Sequence, residues 1–124
     1  MKVLKTRNPY YESMKTGKRK FTGRAGDSAG IKNYWDMNTN EKILIQLVDD
    51  NDNAIKDENF EAETRRIIKY SSGSQCIEDA CKDLGIENLL PGVSSIEEAV
   101  KIYNNFPGYE ERIKKHGFVV IEIK

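Results

Sequence analysis

The chain has 124 residues, of which 38% are hydrophobic and 32% charged, so wholesale disorder is excluded and a single domain with a modest core is predicted. No apolar run approaches the roughly 18–20 residues that a membrane span needs, and the first residues are too charged for a signal peptide. We therefore expect a cytoplasmic protein without a membrane partner. Cys76 and Cys81 give no disulfide framework, in agreement with a reducing compartment.

The first predicted elements are a strand, a helix and a second strand. Val3 and Leu4 lie in the first strand, and Asn8 and Pro9 have the residue types that begin a helix. Gly17 supplies the left-handed residue just past the end of this helix. The alternating residues that follow form the second strand, with a polar row on one face. That row is Lys20, Thr22 and Arg24.

A loop with several glycines runs to about residue 40, and Tyr34 and Trp35 are expected to anchor it. Residues 42–48 alternate as a firm strand. The acidic run over residues 49–53 that follows is a turn or a solvated excursion. This region therefore predicts one buried strand between two surface segments.

Another strand is predicted over residues 64–70, followed by a helix that carries both cysteines and ends at Gly85. Ser94 and Glu97 fit a capping box at the start of a further helix. Residues 118–123 alternate as the last strand. Five candidate strands that mostly do not alternate with three short helices predict an α+β fold, a small mixed or antiparallel β-barrel of about five or six strands flanked by helices.

Charge is segregated along the chain although the formal net charge is zero. Residues 1–24 hold eight basic side chains and one acidic one, whereas residues 41–63 hold eight acidic and two basic ones. Such segregation permits a local positive field, which suits an anionic ligand better than long duplex DNA. Two solvated polar surfaces explain the pattern equally well.

The basic segment over residues 17–24 is the most informative motif. Four cations lie within it, and they repel each other unless an anion, acidic side chains or solvent compensates them. A charged strand edge that resists aggregation is the alternative explanation. No metal site is predicted, because Cys76 and Cys81 are more simply core thiols, and no cofactor is expected.

The same segment, with the helix start before it and the second half of the chain, resembles the ASCH domain, a branch of the PUA-like fold. The family signature is Gly-x-Lys-x-x-Glu-x-Arg, and Gly17 and Arg24 match it. Arg19 stands where lysine is usual and Thr22 where glutamate is usual. The resemblance implies a cleft between a small barrel and helices, with Arg19, Thr22 and Arg24 facing it, and a role in binding RNA or acting on modified nucleosides.

One bacterial branch of that family, the acetylcytidine amidohydrolases, relies on a lysine, a threonine and a glutamate. By resemblance, Arg19 falls at the lysine, Thr22 matches the threonine and Glu87 is matched to the glutamate. A guanidinium stays protonated and cannot act as a neutral amine, though it can hold an oxyanion. Loss or change of that activity is therefore expected more than its retention.

The sequence favours a domain that binds RNA or a nucleoside or nucleotide ligand in a basic cleft. Lys18, Lys20 and Arg24, together with Arg19, are expected to bind phosphate or a base carbonyl. Aromatic residues are expected to stack a base, and roughly half of them to fill the core. These candidates are Tyr10, Tyr34, Trp35 and Tyr70.

Two alternatives remain open at this stage. One is hydrolysis of an amide on an acylated nucleoside, with Thr22 as nucleophile or proton relay, Glu87 as acid and base, and Arg19 or Lys20 stabilising negative charge. The other is a protein-interaction module that uses the acidic segment around Asp49 to Glu61.

Overall fold

The computed structural model describes residues 1–26, 34–71 and 75–124. Its strands are β1 (Lys2–Thr6), β2 (Phe21–Ala25), β3 (Lys42–Val48), β4 (Ala54–Tyr70) and β5 (Phe118–Ile123). Its α-helices are α1 (Tyr10–Lys15), α2 (Cys76–Leu84), α3 (Ile86–Leu89), α4 (Ile96–Asn105) and α5 (Tyr109–His116). A 3-10 turn covers Tyr34–Asp36.

The strands form one mixed sheet in the order β1-β3-β4-β5-β2. β1 pairs with β3 in parallel, and the other neighbours pair antiparallel. The α+β class is confirmed, but the expected barrel is wrong, because the sheet does not close on itself. β1 and β2 are its two edges, since no ladder of backbone hydrogen bonds joins them in the described part of the chain.

The sheet bends at β4, which is much longer than the strand predicted over residues 64–70. Its first part pairs with β3 and its second part with β5, and the register shifts between Thr64 and Arg66. A bulge of this kind strengthens twist and bends a strand. Thr64 is fully buried at the bend, where its hydroxyl donates to the Asn38 carbonyl (2.6 Å) and accepts from the Glu41 amide (2.9 Å).

β5 is the central element of the core, because both of its faces are buried. Phe118 and Val120 belong to a cluster beneath α2, α4 and α5, which also contains both cysteine side chains. Ile121 and Ile123 belong to a second cluster, beneath α1. This strand shows the period-two alternation that predicted it.

The helices differ from the sequence prediction in number and in one cap. α3 and α5 were not predicted, and they bury little beyond Leu89 and Ile113 respectively. α4 is capped by Ser95, whose hydroxyl accepts from the Glu98 amide at 3.1 Å, so the Ser94 capping box is wrong by one residue. None of the helices in the described residues has the length and apolar character to span a membrane.

Gly23 on β2 is required by close packing. A β-carbon there would lie 2.6 Å from Tyr103 Oη and 2.9 Å from Tyr103 Cζ, and it would also clash with the Phe118 ring. Tyr103 and Phe118 are both buried, with ring centroids 4.9 Å apart, so neither ring has room to move.

We therefore expect Gly23→Ala to lower the free energy of unfolding by about 1–3 kcal/mol, the usual cost of overpacking a dense core. Urea denaturation followed by circular dichroism measures the change. Ordinary surface substitutions change the free energy of unfolding by up to about 0.5 kcal/mol. A change no larger than this would show that Tyr103 and Phe118 pack less tightly against Gly23 than the structure indicates.

Candidate functional site

The two edge strands of the sheet approach each other, and a cavity of about 160 Å³ lies at the seam between them. We call it the seam cavity. The strands contribute residues on both sides, and the helices and the β3–β4 turn complete the lining. The strand residues are Lys5, Thr6, Thr22, Gly23 and Arg24.

The side chain of Arg24 joins the two edges where backbone pairing is missing. From β2 it donates across the seam to the Lys5 carbonyl (2.5 Å) and to Thr6 Oγ1 (2.8 Å), both on β1. Its Nε donates to Thr22 Oγ1 at 3.2 Å. A guanidinium has five N–H donors, and the described residues accept from three of those of Arg24.

Arg19 is buried at the other end of the seam cavity, in the turn before β2. Its guanidinium donates to Ser13 Oγ (3.0 Å) and to the carbonyls of Tyr10 (3.0 Å), Leu89 (2.9 Å) and Phe21. These bonds join α1, α3 and β2. Burial lowers the pKa of Arg19 to about 10, and the positive charge of Arg24 acts in the same direction.

Neither buried guanidinium has an acidic partner among the residues that the structure describes. Arg19 is 4% exposed and Arg24 6% exposed, yet no carboxylate contacts either of them within the described residues. Buried charges in proteins are usually paired. The seam cavity therefore has an excess of positive charge that an anion would compensate.

The helix side of the seam cavity is aromatic. Phe106 makes edge contacts with Tyr10, Tyr103 and Tyr109, at centroid distances of 6.1, 6.0 and 5.3 Å. Tyr34 lies on the strand side, with its ring centroid 5.6 Å from the guanidinium carbon of Arg24. Aromatic faces next to cations are a surface on which a base can stack.

The β3–β4 turn supplies the acidic residue of the rim. Asp52 Oδ1 accepts from Arg7 Nη2 at 2.9 Å, and both residues line the seam cavity. Asp49 fixes the turn by accepting from the amides of Asn51 (2.9 Å) and Asn53 (3.0 Å), and these bonds lower the pKa of its carboxyl. The acidic segment is thus a turn beside the basic cavity.

Arg19, Thr22, Arg24, Tyr10 and Tyr34 lie together around the seam cavity. The other candidates lie elsewhere. Lys18, Lys20 and Glu87 are exposed outside the described lining, and the Tyr70 hydroxyl bonds to Asp83 on α2 at 3.1 Å. The side chain of Trp35 falls outside the described residues.

Of the residues named for amide hydrolysis, Thr22 and Arg19 belong to the described lining and Glu87 does not. Asp52 is the only carboxylate in the described lining, and it is bound by Arg7. Thr22 Oγ1 accepts a hydrogen bond from the Arg24 guanidinium at 3.2 Å. The described residues also contain no group of three or more His, Cys, Asp or Glu that could hold a metal ion.

Several lining residues were missed by sequence reasoning. Lys5, Arg7 and Asp52 come to the rim only because β1 pairs with β3, and no local pattern marks them. A signal was present for the aromatic wall: Tyr103, Phe106 and Tyr109 recur every third residue across a helix break that contains proline and glycine.

No protein-family model matches the chain, and no curated protein matches it. Two solved Pyrococcus structures are similar. The crystal structure of the hypothetical protein PH0355 is 33% identical, with a TM-score of 0.73 over 98% of this chain and 95% of that one. The solution structure of protein PF0455 from Pyrococcus furiosus is 27% identical, with a TM-score of 0.66 over 98% and 94%. The resemblance to the ASCH domain stays a prediction.

We expect Arg19→Lys to lower the free energy of unfolding by about 1–3 kcal/mol. A lysine ammonium cannot donate to all three carbonyls in the geometry of the guanidinium, so some of these buried acceptors lose their hydrogen bond. Urea denaturation measures this cost. Arg66→Lys is the matched control, since Arg66 is exposed and outside the lining. Equal stabilities of the two variants would show that Arg19 does not hold the elements together.

Burial and the bond to Asp83 raise the pKa of Tyr70 from 10.0 to about 12. Between pH 10 and about 12, the Tyr70 hydroxyl therefore keeps its proton in the folded state and loses it in the unfolded state. The contribution of this hydroxyl to the free energy of unfolding is complete below pH 10 and disappears as the pH rises towards 12. We expect the stability difference between the parent and Tyr70→Phe to shrink over that window. Denaturation at a series of pH values tests this, and a constant difference contradicts it.

Proposed function

We propose that this chain, which belongs to the same family as the hypothetical protein PH0355, binds RNA or a nucleotide-like ligand in the seam cavity. One observation carries the proposal: two buried guanidinium groups without acidic partners in the described residues adjoin an aromatic wall. An anion and a flat ring are the two chemical features that a nucleotide presents together.

The polar half of the ligand lies against Arg24 and Lys5. The described residues accept from three of the five N–H donors of Arg24, and Lys5 is an exposed ammonium on the opposite strand with no ion pair among them. Charge-assisted bonds from arginine to phosphate oxygens are among the stronger hydrogen bonds in proteins. Arg19 is a positioning residue, because most of its donors bind protein carbonyls.

The flat half of the ligand lies against the aromatic wall. Phe106 and Tyr10 are only partly buried in the core cluster, so parts of their rings remain accessible. Tyr34 adds another ring to the lining, beside Arg24. Stacking of a base on such rings is sequence-tolerant and contributes about 1–3 kcal/mol per base.

Arg24→Gln is expected to weaken binding of single-stranded RNA and of ribonucleoside monophosphates by about tenfold or more, the loss that follows removal of a hydrogen bond to a charged group. Binding should also weaken as salt is raised. Isothermal titration calorimetry with each probe, at low and high salt, measures both effects.

One control variant and one second site variant make this test specific. Arg66→Gln removes the same charge from an exposed residue outside the lining and should leave binding unchanged. Lys5→Gln, on an exposed side chain, weakens binding without the folding risk of Arg24→Gln. The absence of binding to every probe, or equal binding by the Arg24 and Arg66 variants, would overturn the proposal.

The same samples distinguish binding from amide hydrolysis. Because Glu87 is exposed and lies outside the lining, we expect acetylcytidine to remain intact in their presence. Turnover that disappears in Thr22→Ala would instead establish catalysis at this cavity.

A further inference from the structure

The size of the seam cavity limits how much of a nucleic acid can enter. Its volume of about 160 Å³ is below the roughly 300–1,000 Å³ of pockets that enclose drug-sized ligands. The aromatic wall and the Arg24 side chain both line this space. One base and one anionic group are therefore the part of a nucleic acid that a cavity of this volume can enclose.

The charge of the lining indicates which anion fits. The guanidinium groups of Arg19 and Arg24 are both buried, and no carboxylate among the described residues compensates either one. The lining also holds three other cationic side chains, those of Lys5, Arg7 and Arg112, and Arg7 is paired with Asp52. A phosphodiester carries one negative charge, whereas a terminal phosphate monoester carries close to two near neutral pH. The monoester matches the two buried charges better.

The acidic turn acts against a longer polyanion. Asp52 lies at the rim, and Asp49 and Asp50 are its neighbours on the same turn. A nucleic acid strand that continued outward past this turn would bring its phosphates close to these carboxylates, and like-charge contacts of this kind disfavour association. A ligand that ends inside the site avoids them.

We infer that the seam cavity binds a single nucleotide unit that ends in a phosphate monoester, and that Asp52 discriminates against longer strands. This inference rests on the proposed function and narrows it. The same chemistry is presented by a free mononucleotide and by the phosphorylated end of an RNA, and the acidic turn favours the free mononucleotide.

The experiment compares four types of probe by isothermal titration calorimetry at one salt concentration. For each common base, these are the ribonucleoside, its 5′-monophosphate, the methyl ester of that monophosphate, and a 5′-phosphorylated oligoribonucleotide. The methyl ester retains the phosphate but removes one charge and the free end. We expect the monophosphate to bind about tenfold more tightly than the ribonucleoside and the methyl ester, the change that loss of one charged hydrogen bond produces.

Asp52→Asn tests the acidic turn, since asparagine has the same shape and tolerates the left-handed conformation of this residue (φ 62°). We expect this variant to bind the oligonucleotide more tightly while the affinity for the monophosphate changes less. Asp57→Asn is the matched control, because Asp57 is also left-handed (φ 64°) and exposed but lies outside the lining.

The outcomes separate the two proposals. Binding of the methyl ester as tightly as the monophosphate, or tighter binding of the oligonucleotide than the monophosphate by the parent protein, would overturn the inference and leave nucleotide binding intact. Oligonucleotide affinity that is unchanged by Asp52→Asn would overturn the role of Asp52. The absence of binding by every probe would overturn the proposed function itself.

Discussion

The bonds from Arg24 across the seam are the interaction on which the site depends. Backbone pairing holds β1 to β3 and β2 to β5, but only side chains join β1 to β2 in the described structure, and Arg24 supplies two of these bonds. The Arg24 side chain spans a longer distance than a backbone hydrogen bond does. β1 and β2 therefore stay apart, and space remains between them. The residue that holds the edges together is thus also the one that keeps the seam cavity open and positively charged.

The strands with clear alternation were predictable, and those without it were not. β3 buries every second residue along most of its length, and the apolar residues of β5 alternate between two buried faces, so each strand shows the period of two that identified it. The first part of β4 was missed because it is largely charged, and only Phe60 and Ala62 there pack against the core. α5 was missed for the same reason: Ile113 is its single fully buried side chain, which is too little to produce a helical period.

The candidate site was predictable only in part, because its residues come from distant segments. The basic segment identified Arg19 and Arg24, but it could not separate them from Lys18 and Lys20, whose side chains are exposed. The strand pattern placed Arg19 on the face opposite Arg24. In the structure Arg19 precedes β2 and turns into the seam cavity through its bonds to α1 and α3. Those bonds depend on tertiary packing, which local periodicity does not contain.

The pairing of β2 with β5 also has a kinetic consequence. Phe21 pairs with Glu122, and Lys2 pairs with Ile43, so the strands on both sides of the seam find partners that are distant in sequence. Loop closure over such distances slows folding, and contacts of this kind form after local hairpins. We expect β3 and β4, joined by the turn that Asp49 stabilises, to assemble early and the two edges to dock last. The arginines would then lose their water only in the final stage of folding, when the rest of the core is already in place to hold them.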